Sequence, residues 1–407
     1  MTSELLKRKA HSIAAMRELA QQRLPRLVFD FIDGGAEDER AVRNNEESLG
    51  RTQLLPRPLN GTEQRDQSIE LFGERLRMPV LIGPTGLAGM TWPRGEAHSA
   101  RAALAAGTVY VMSHASTVSM EDLAREVGGH LWMQVFVYRD RGLTRTFVER
   151  AHASGYQALV VTVDNQVPGW RERDLRNGFT VPLQLGGSNI LDFALHPGWL
   201  WRMAQTPRFT FANYTEMEGK SDVISIAARM GQLLDPSLSW RDVEWLRKMW
   251  DRPLLIKGIL HPEEARRAVA LGVDGLIVSN HGGRQLDAAP ASFEALPGVL
   301  DAVNGKVPVL MDGGIRRGAD VVKTLAMGAR VPDRSPATLG PGDGRGRRCL
   351  VGARLLACGD RSHHGTLRER ASGRRRPFAA LLHRSARGDA EEIPRHGGRV
   401  TRAIGMR

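Results

Sequence analysis

Between residues 78 and 327, the chain alternates short apolar runs with longer amphipathic stretches, and this alternation is what most constrains its fold. Runs of four to seven apolar residues suit strands, whereas apolar residues spaced three or four apart suit helices. Near-continuous apolar strands are typical of a parallel sheet covered by helices on both faces. The seven predicted strands lie at 79–83, 109–112, 131–137, 158–164, 253–257, 275–279 and 307–311, and a helix is predicted after each except the fourth, where a long interruption precedes the next helix.

The spacing of polar strand ends indicates how the strands are arranged. Lys257, His281 and Asp312 end consecutive strands at intervals of 24 and 31 residues, close to the roughly 30 residues per unit of an eight-unit barrel. Asp164 precedes Lys257 by 93 residues, so a loop with roughly 60 extra residues follows the fourth strand. We therefore predict an α/β fold, a (β/α)8 TIM barrel with N-terminal helices at 4–22 and 24–32. A doubly wound open sheet is the alternative.

Four strand ends carry side chains that suit catalysis. In a barrel, Asp164, Lys257, His281 and Asp312 would meet at the C-terminal mouth. A carboxylate can orient an imidazole and stabilise its protonated form, and a lysine supplies fixed positive charge to a developing anion. We predict His281, Asp164 and Lys257 as catalytic residues; for each, a polar residue that merely starts a loop is the other interpretation.

A glycine-rich turn at 312–318 is a candidate phosphate site. Asp312, Gly313, Gly314 and Arg316 follow the seventh strand and open a helix. Glycine amides, an arginine and a helix N-terminus together suit a phosphate, and barrels often bind one after strands seven and eight. An ordinary glycine turn is the alternative.

The long loop, at about 165–239, contains an apolar and aromatic segment at 191–211. This segment predicts either a lid or subunit contact, or a peripheral membrane-docking patch. The chain has no run of about 18 apolar residues and its first 22 residues are charged throughout, so neither a membrane span nor a secretory signal is predicted. We expect a cytoplasmic protein, with a peripheral position on the inner face of the cytoplasmic membrane as the alternative.

The nonapeptide at 279–287, Ser-Asn-His-Gly-Gly-Arg-Gln-Leu-Asp, strongly resembles the signature of the FMN-dependent L-2-hydroxy acid dehydrogenases and oxidases. The likeness runs from about residue 24 to residue 329. Within that family, 83–87 and 171–174 are most similar to the mandelate dehydrogenases, and 235–240 and 257–260 are equally similar to the respiratory lactate dehydrogenases. The resemblance implies FMN as cofactor, a small 2-hydroxy acid as substrate, its 2-oxo acid as product, and a homo-oligomer, which is a tetramer in the family.

The resemblance also implies a role for individual residues. His281 takes the α-hydroxyl proton as hydride passes to flavin N5, Asp164 pairs with the protonated His281, and Lys257 lies near flavin N1. Arg284 and Arg171 hold the substrate carboxylate, because a guanidinium fork matches a planar carboxylate. The residues that the resemblance places against FMN are Thr85, Gly86, Ser113, Gln134, Thr162, Lys257, Asp312, Gly313, Gly314 and Arg316.

Four positions depart from, or vary within, the family pattern. Two tyrosines that contact substrate in the family are Phe31 and Phe136 here, which makes the pocket more apolar. Ala115 replaces a residue that is often aromatic in glycolate oxidase and leaves room for a larger side group. We therefore expect an aryl or longer-chain 2-hydroxy acid. Gly86, where the oxidases usually carry alanine, favours a quinone or respiratory-chain acceptor over oxygen.

The tail at 331–407 does not continue the pattern. It holds 17 Arg, no Lys and 7 acidic residues, which gives +10 of the net charge of +12. With GC-rich codons, a reading frame shifted by one base can encode Ile-Gly-Arg-Pro in place of residues 333–336, which resembles the strand end that the family needs. We therefore predict a barrel domain at 1–330 and a frameshifted, disordered tail at 331–407, with the eighth βα unit lost. A non-catalytic remnant with an incomplete barrel and weak FMN binding is the alternative function, and no nucleic acid is expected as partner.

Overall fold

A computed structural model describes residues 9–56, 65–179, 189–205, 211–215 and 233–334. The chain divides into two units, Met1–Leu367 and Arg368–Arg407, and all the described residues belong to the first. That unit begins with helices α1 (Ile13–Gln21), α2 (Arg26–Asp33) and α3 (Arg40–Arg51), followed by an antiparallel hairpin of β1 (Ile69–Leu71) and β2 (Glu74–Leu76). The first two helices were predicted, whereas α3 and the hairpin were not.

Eight parallel strands close into a barrel in the order β3 to β10, which confirms the predicted (β/α)8 fold. The strands are β3 (Leu81–Ile82), β4 (Tyr110–Ser113), β5 (Leu131–Val135), β6 (Ala158–Thr162), β7 (Leu254–Ile259), β8 (Gly275–Val278), β9 (Val309–Met311) and β10 (Val331–Arg334). The intervening helices are α4 (Gly95–Ala106), α5 (Met120–Val127), α6 (Arg141–Ala153), α11 (Trp240–Met249), α12 (Pro262–Ala270), α13 (Ser292–Val303) and α14 (Gly318–Met327).

Strand β10 corrects one prediction, namely that the eighth strand is lost. Val331 pairs with Leu310 of β9, and Asp333 pairs with Leu81 of β3, so one short segment joins both edges of the sheet. Strand pairing uses peptide groups, which nearly every residue carries, and unpaired edges inside a barrel would be costly. The barrel thus extends four residues past the predicted boundary at 330. The missing eighth helix and the disorder of the tail fall outside the described residues, and the frameshift stays a prediction that resequencing the locus would test.

The β1–β2 hairpin fills the N-terminal end of the barrel. Its buried residues Leu71 and Leu76 belong to the same apolar cluster as inward-facing strand residues such as Leu81, Val160 and Leu310. Alternate residues of each strand point into the barrel, so these side chains stack in layers above the hairpin. Polar groups are therefore left to the opposite, C-terminal end.

The long loop after β6 packs back onto the N-terminal helices. Its described parts are the short helices α7 (Glu172–Arg176), α8 (Ile190–Ala194), α9 (Pro197–Ala204) and α10 (Ala212–Thr215). Arg173 of α7 forms ion pairs with Asp30, Asp33 and Glu39, which ties this loop to α2 and the turn after it. The loop is thereby held over the C-terminal mouth.

Candidate active site

His281 and Asp164 form a pair at the mouth of the barrel. His281 follows β8, Asp164 follows β6, and Nδ1 of the imidazole lies 2.8 Å from Oδ1 of the carboxylate. Because a carboxylate only accepts, Nδ1 donates this hydrogen bond, and in the neutral ring the lone pair is on Nε2. Burial by itself would raise the pKa of Asp164, but the charge that His281 carries when protonated, its hydrogen bond and the charge of Lys257 outweigh burial and lower that pKa. The pair therefore combines a proton acceptor with an ionised partner.

Lys257 and Asp312 form a second, buried pair. Lys257 Nζ lies 2.7 Å from Asp312 Oδ2 and also donates to Ser279 Oγ at 2.7 Å. The same Ser279 Oγ accepts the backbone N–H of His281 at 3.0 Å. A register shift between Lys257 and Ile259 interrupts β7, and such irregularities often redirect side chains beside active sites. All four predicted strand ends are thus brought together, with Ser279 as the link.

Arg284 is half-buried and contacts the N-terminal part of the chain. Its Nη1 donates to Gly34 O at 2.5 Å, and its guanidinium lies 5.3 Å from the ring centre of Phe31. Burial, with the positive charge of Arg171 added, lowers the pKa of Arg284 to about 10, so the side chain remains cationic at neutral pH. Arg171 is held by Asp174, whose Oδ2 accepts from Nε at 2.7 Å. Two cations therefore stand close together, which suits a carboxylate ligand.

The pocket wall beside Arg284 is aromatic. Phe31 stacks on Phe179 with ring centres 4.2 Å apart and nearly parallel planes. Phe136 packs against His114 at 4.1 Å. Both predicted phenylalanines are therefore placed against another ring, and both are only partly buried, so each offers some apolar surface.

Four residues predicted to contact FMN carry buried polar atoms without a partner in the described structure. These atoms are Thr85 Oγ1, Gln134 Nε2, Thr162 Oγ1 and Asp312 Oδ1. Burying an unpaired polar atom is costly, so such atoms point to a polar ligand that satisfies them. Ser113 Oγ, by contrast, donates to Gln134 Oε1 at 3.3 Å. The residues present fit a heteroaromatic ring with several hydrogen-bonding edges, such as that of FMN.

The predicted phosphate turn is built as a close backbone approach. Gly314 has φ +79°, and a Cβ there would meet the backbone oxygen of Asn45 at 2.1 Å, so only glycine fits. Asn45 itself exchanges side-chain hydrogen bonds with Asn280. Arg316 lies at the surface, paired with Glu46 at 2.8 Å, and its backbone N–H donates to Asp320. The turn is present, but Arg316 is occupied by an acidic side chain that a phosphate would have to displace.

Gly86, the position used above to judge the electron acceptor, lies close to the β4 loop. A Cβ on Gly86 would come within 3.1 Å of the Ala115 side chain, so the two small residues pack together.

Of the described residues, no group of three or more His, Cys, Asp or Glu side chains is arranged to hold a metal ion.

Sequence reasoning missed two residues of this site, Ser279 and His114. Ser279 lies inside the 279–287 signature and is fully buried, yet a serine at a strand end carries no chemical signal of its own. His114 is also buried and follows β4, with Nδ1 3.0 Å from Gln134 Oε1. Burial lowers the pKa of His114 to about 4, so its imidazole is neutral at pH 7. Its position in a Ser-His-Ala-Ser-Thr turn after a strand is the one clue that the sequence offered.

Comparison with known proteins agrees with the family resemblance seen in the sequence. The family model for FMN-dependent dehydrogenases matches residues 20–331. The chain is 44% identical over 315 residues to the L-lactate dehydrogenase of Alcaligenes faecalis, covering 77% of this chain and 83% of that protein. It is 43% identical over 323 residues to the (S)-mandelate dehydrogenase of Pseudomonas putida, covering 79% and 81%. A crystal structure of the monotopic membrane protein (S)-mandelate dehydrogenase matches with a TM-score of 0.82 and 38% identity, over 87% of this chain and 95% of that one.

Proposed function

The chain belongs to the FMN-dependent dehydrogenase family, and we propose that it uses FMN to oxidise an L-2-hydroxy acid to the 2-oxo acid. The observation that carries this proposal is the His281–Asp164 pair, at 2.8 Å, in the same mouth as the buried unpaired atoms that fit a flavin. FMN, when bound, supplies the two-electron acceptor for the hydride that leaves the substrate Cα.

The residues at the mouth would divide the work as follows. Arg284 and Arg171 bind the carboxylate and fix the substrate so that its hydroxyl faces His281. His281 Nε2 takes the hydroxyl proton, and Asp164 stabilises the imidazolium that results. Lys257 provides positive charge where negative charge builds up on the cofactor. Thr85, Gln134 and Thr162 hydrogen-bond the flavin ring, while Gly313, Gly314 and Arg316 are assigned to its phosphate.

Flavin reduction without oxygen tests this function directly. Purified protein is expected to be yellow and to bleach with L-mandelate at lower concentration than with L-lactate or glycolate, because the Phe31–Phe179 wall and Ala115 favour a larger apolar side group. Changing Arg284→Lys is expected to weaken substrate binding about 10- to 150-fold, since a hydrogen bond to a charged group contributes ~1.5–3 kcal/mol. Stopped-flow absorbance at the flavin band measures both effects.

Two outcomes would contradict the proposed oxidation of a 2-hydroxy acid. Yellow protein that no 2-hydroxy acid bleaches would overturn the substrate class. Colourless protein would favour the non-catalytic remnant instead, although the exposed strand edges on which that alternative rested are paired with β10.

Rapid reoxidation by oxygen, and slow reoxidation by a quinone analogue, would overturn the quinone-like acceptor that Gly86 favours. The homo-oligomer is a further part of the proposal, and the molecular mass in solution tests it.

We also propose that the loop after β6 docks on a lipid surface. Among the described residues of the predicted segment at 191–211, Leu191, Leu195 and Trp201 are largely exposed, whereas Phe193, Trp199 and Phe211 are buried. Among the described residues, no helix is long and apolar enough to cross a bilayer. The similar (S)-mandelate dehydrogenase is a monotopic membrane protein, which supports a peripheral membrane position for this chain.

A vesicle-binding assay tests the docking surface. Leu195 is 78% exposed on the loop, and Leu55 is 77% exposed elsewhere, so Leu195→Ser and Leu55→Ser form a matched pair. Burying a leucine side chain contributes ~1.5–3 kcal/mol, so Leu195→Ser is expected to weaken the affinity for anionic vesicles, measured by sedimentation, about 10- to 150-fold. Equal sedimentation of the two variants would contradict the proposal and favour a lid or subunit contact.

A further inference from the structure

The amide of Gln134 is held in one orientation by three donors from the end of β4 and the turn after it. Gln134 Oε1 accepts from Ser113 Oγ at 3.3 Å, from the backbone N–H of His114 at 3.4 Å, and from His114 Nδ1 at 3.0 Å. A backbone N–H can only donate, so the amide atom that faces it must be the oxygen. The NH2 group of Gln134 therefore points the other way.

The tautomer of His114 follows from the same contact. Gln134 Oε1 can only accept, so His114 Nδ1 carries the proton and Nε2 the lone pair. Neutral imidazole is favoured at this buried site, as the low pKa of His114 indicates. His114 Nδ1 thus donates to the carbonyl oxygen of the Gln134 amide.

The imidazole of His114 is itself fixed by its surroundings. Its ring packs on Phe136 at 4.1 Å and has edge contacts with Tyr138 and Tyr214, both at 6.3 Å. The backbone oxygen of His114 accepts from Asn213 Nδ2 at 3.0 Å. A ring that is packed on several sides cannot turn away from Gln134, so the donor is pre-oriented.

We propose that His114 is a positioning residue that locks the Gln134 amide, so that its NH2 group and not its carbonyl faces the flavin. Gln134 Nε2 is buried and has no partner among the described residues, as expected for a donor kept for a ligand. Thr85 Oγ1 and Thr162 Oγ1, assigned to the same ring, share this condition. This inference rests on the proposed FMN-dependent function.

A fixed donor beside the flavin has an electrostatic consequence. Reduction adds negative charge to the flavin ring, and a hydrogen-bond donor that needs no reorientation stabilises that charge. A free amide could turn its carbonyl toward the ring and lose this effect. His114 should therefore raise the midpoint potential of the bound FMN and tighten its binding, although it is assigned no contact with the flavin.

The test compares three proteins by two measurements. His114→Phe keeps an aromatic ring against Phe136 but removes the donor, whereas His114→Asn keeps a donor at the position of Nδ1. We expect His114→Phe to bind FMN about 3- to 10-fold more weakly, the ratio that one net hydrogen bond contributes, and to lower the midpoint potential of the flavin. His114→Asn is expected to restore both values toward wild type. Fluorescence titration gives the dissociation constant, and dye equilibration gives the potential.

A double-mutant cycle separates positioning from a purely structural role. In a Gln134→Leu background, where no amide remains to be oriented, His114→Phe is expected to leave FMN affinity and potential nearly unchanged. The inference would be overturned if His114→Phe lowered the FMN affinity and the midpoint potential equally with and without Gln134. It would also be overturned if the His114→Phe protein had wild-type FMN affinity and potential. Those outcomes leave the proposed function standing if wild type is yellow and bleaches with a hydroxy acid. Wild-type protein that binds no FMN would overturn both.

Discussion

Changing His281→Asn is expected to slow flavin reduction by an L-2-hydroxy acid about 10²- to 10⁴-fold, the range that a positioned general base contributes. Asparagine suits the site because His281 has φ +58°, a left-handed conformation that asparagine tolerates better than most residues. Its amide can also still donate to Asp164. The variant therefore removes the proton acceptor with little change to the backbone or to the partner.

Rapid-mixing absorbance under anaerobic conditions measures the rate, and substrate dependence separates binding from chemistry. His261→Asn is the matched control, because His261 caps α12 by accepting from the N–H of Glu263, and asparagine also caps helices well. The assignment of His281 as base would be wrong if both variants reduced their flavin as fast as wild type. A rise in the substrate dissociation constant alone would make His281 a binding residue.

Changing Lys257→Met is expected to lower the free energy of unfolding by about 3–5 kcal/mol, because it leaves the carboxylate of Asp312 buried without its cation. The two side chains are 5% and 3% exposed, so water offers little compensation. The double variant Lys257→Met with Asp312→Leu removes both charges and should recover most of this loss. Both variants are expected to bind FMN weakly, because the cation beside the cofactor is gone.

Urea unfolding of the protein, with and without FMN, gives the free energies for these variants. The exposed pair of Arg40 and Asp38, at 2.8 Å against 2.7 Å for the buried pair, provides a control, since Arg40→Met should change stability by less than about 1 kcal/mol. A double variant as unstable as Lys257→Met would show that the charge pair is not what matters. Loss of FMN binding without loss of stability would assign Lys257 to the cofactor alone.

The sequence allowed much of the fold to be predicted because apolar periodicity is a local property. Helices α5 (Met120–Val127) and α14 (Gly318–Met327) each follow a strand, as the amphipathic stretches predict. The β1–β2 hairpin was not predicted, because three-residue strands are too short to show alternation. Strand β10 was wrongly expected to be lost, since Val-Pro-Asp-Arg has no strand pattern and owes its conformation to the two edges beside it.

The site could be predicted where a titratable side chain stands at the end of an apolar run. His281, Asp164, Lys257 and Asp312 each follow or end an apolar run, and barrel geometry alone brings them together. The role of Ser279 could not be predicted. Its Oγ accepts hydrogen bonds from Lys257 Nζ and from the backbone N–H of His281, and only the folded barrel brings Lys257 to this oxygen. The Gln134 amide is a similar case, since its orientation is set by groups on a neighbouring strand end.

The hairpin at the N-terminal end of the barrel has a kinetic consequence. With Leu71, Phe72 and Leu76 packed into that end, the hydroxy acid, the oxo acid and the electron acceptor are left to share the opposite entrance. Reactants that share one entrance are expected to use it in turn. We therefore expect the oxo acid to depart before the acceptor arrives, which would be a ping-pong order.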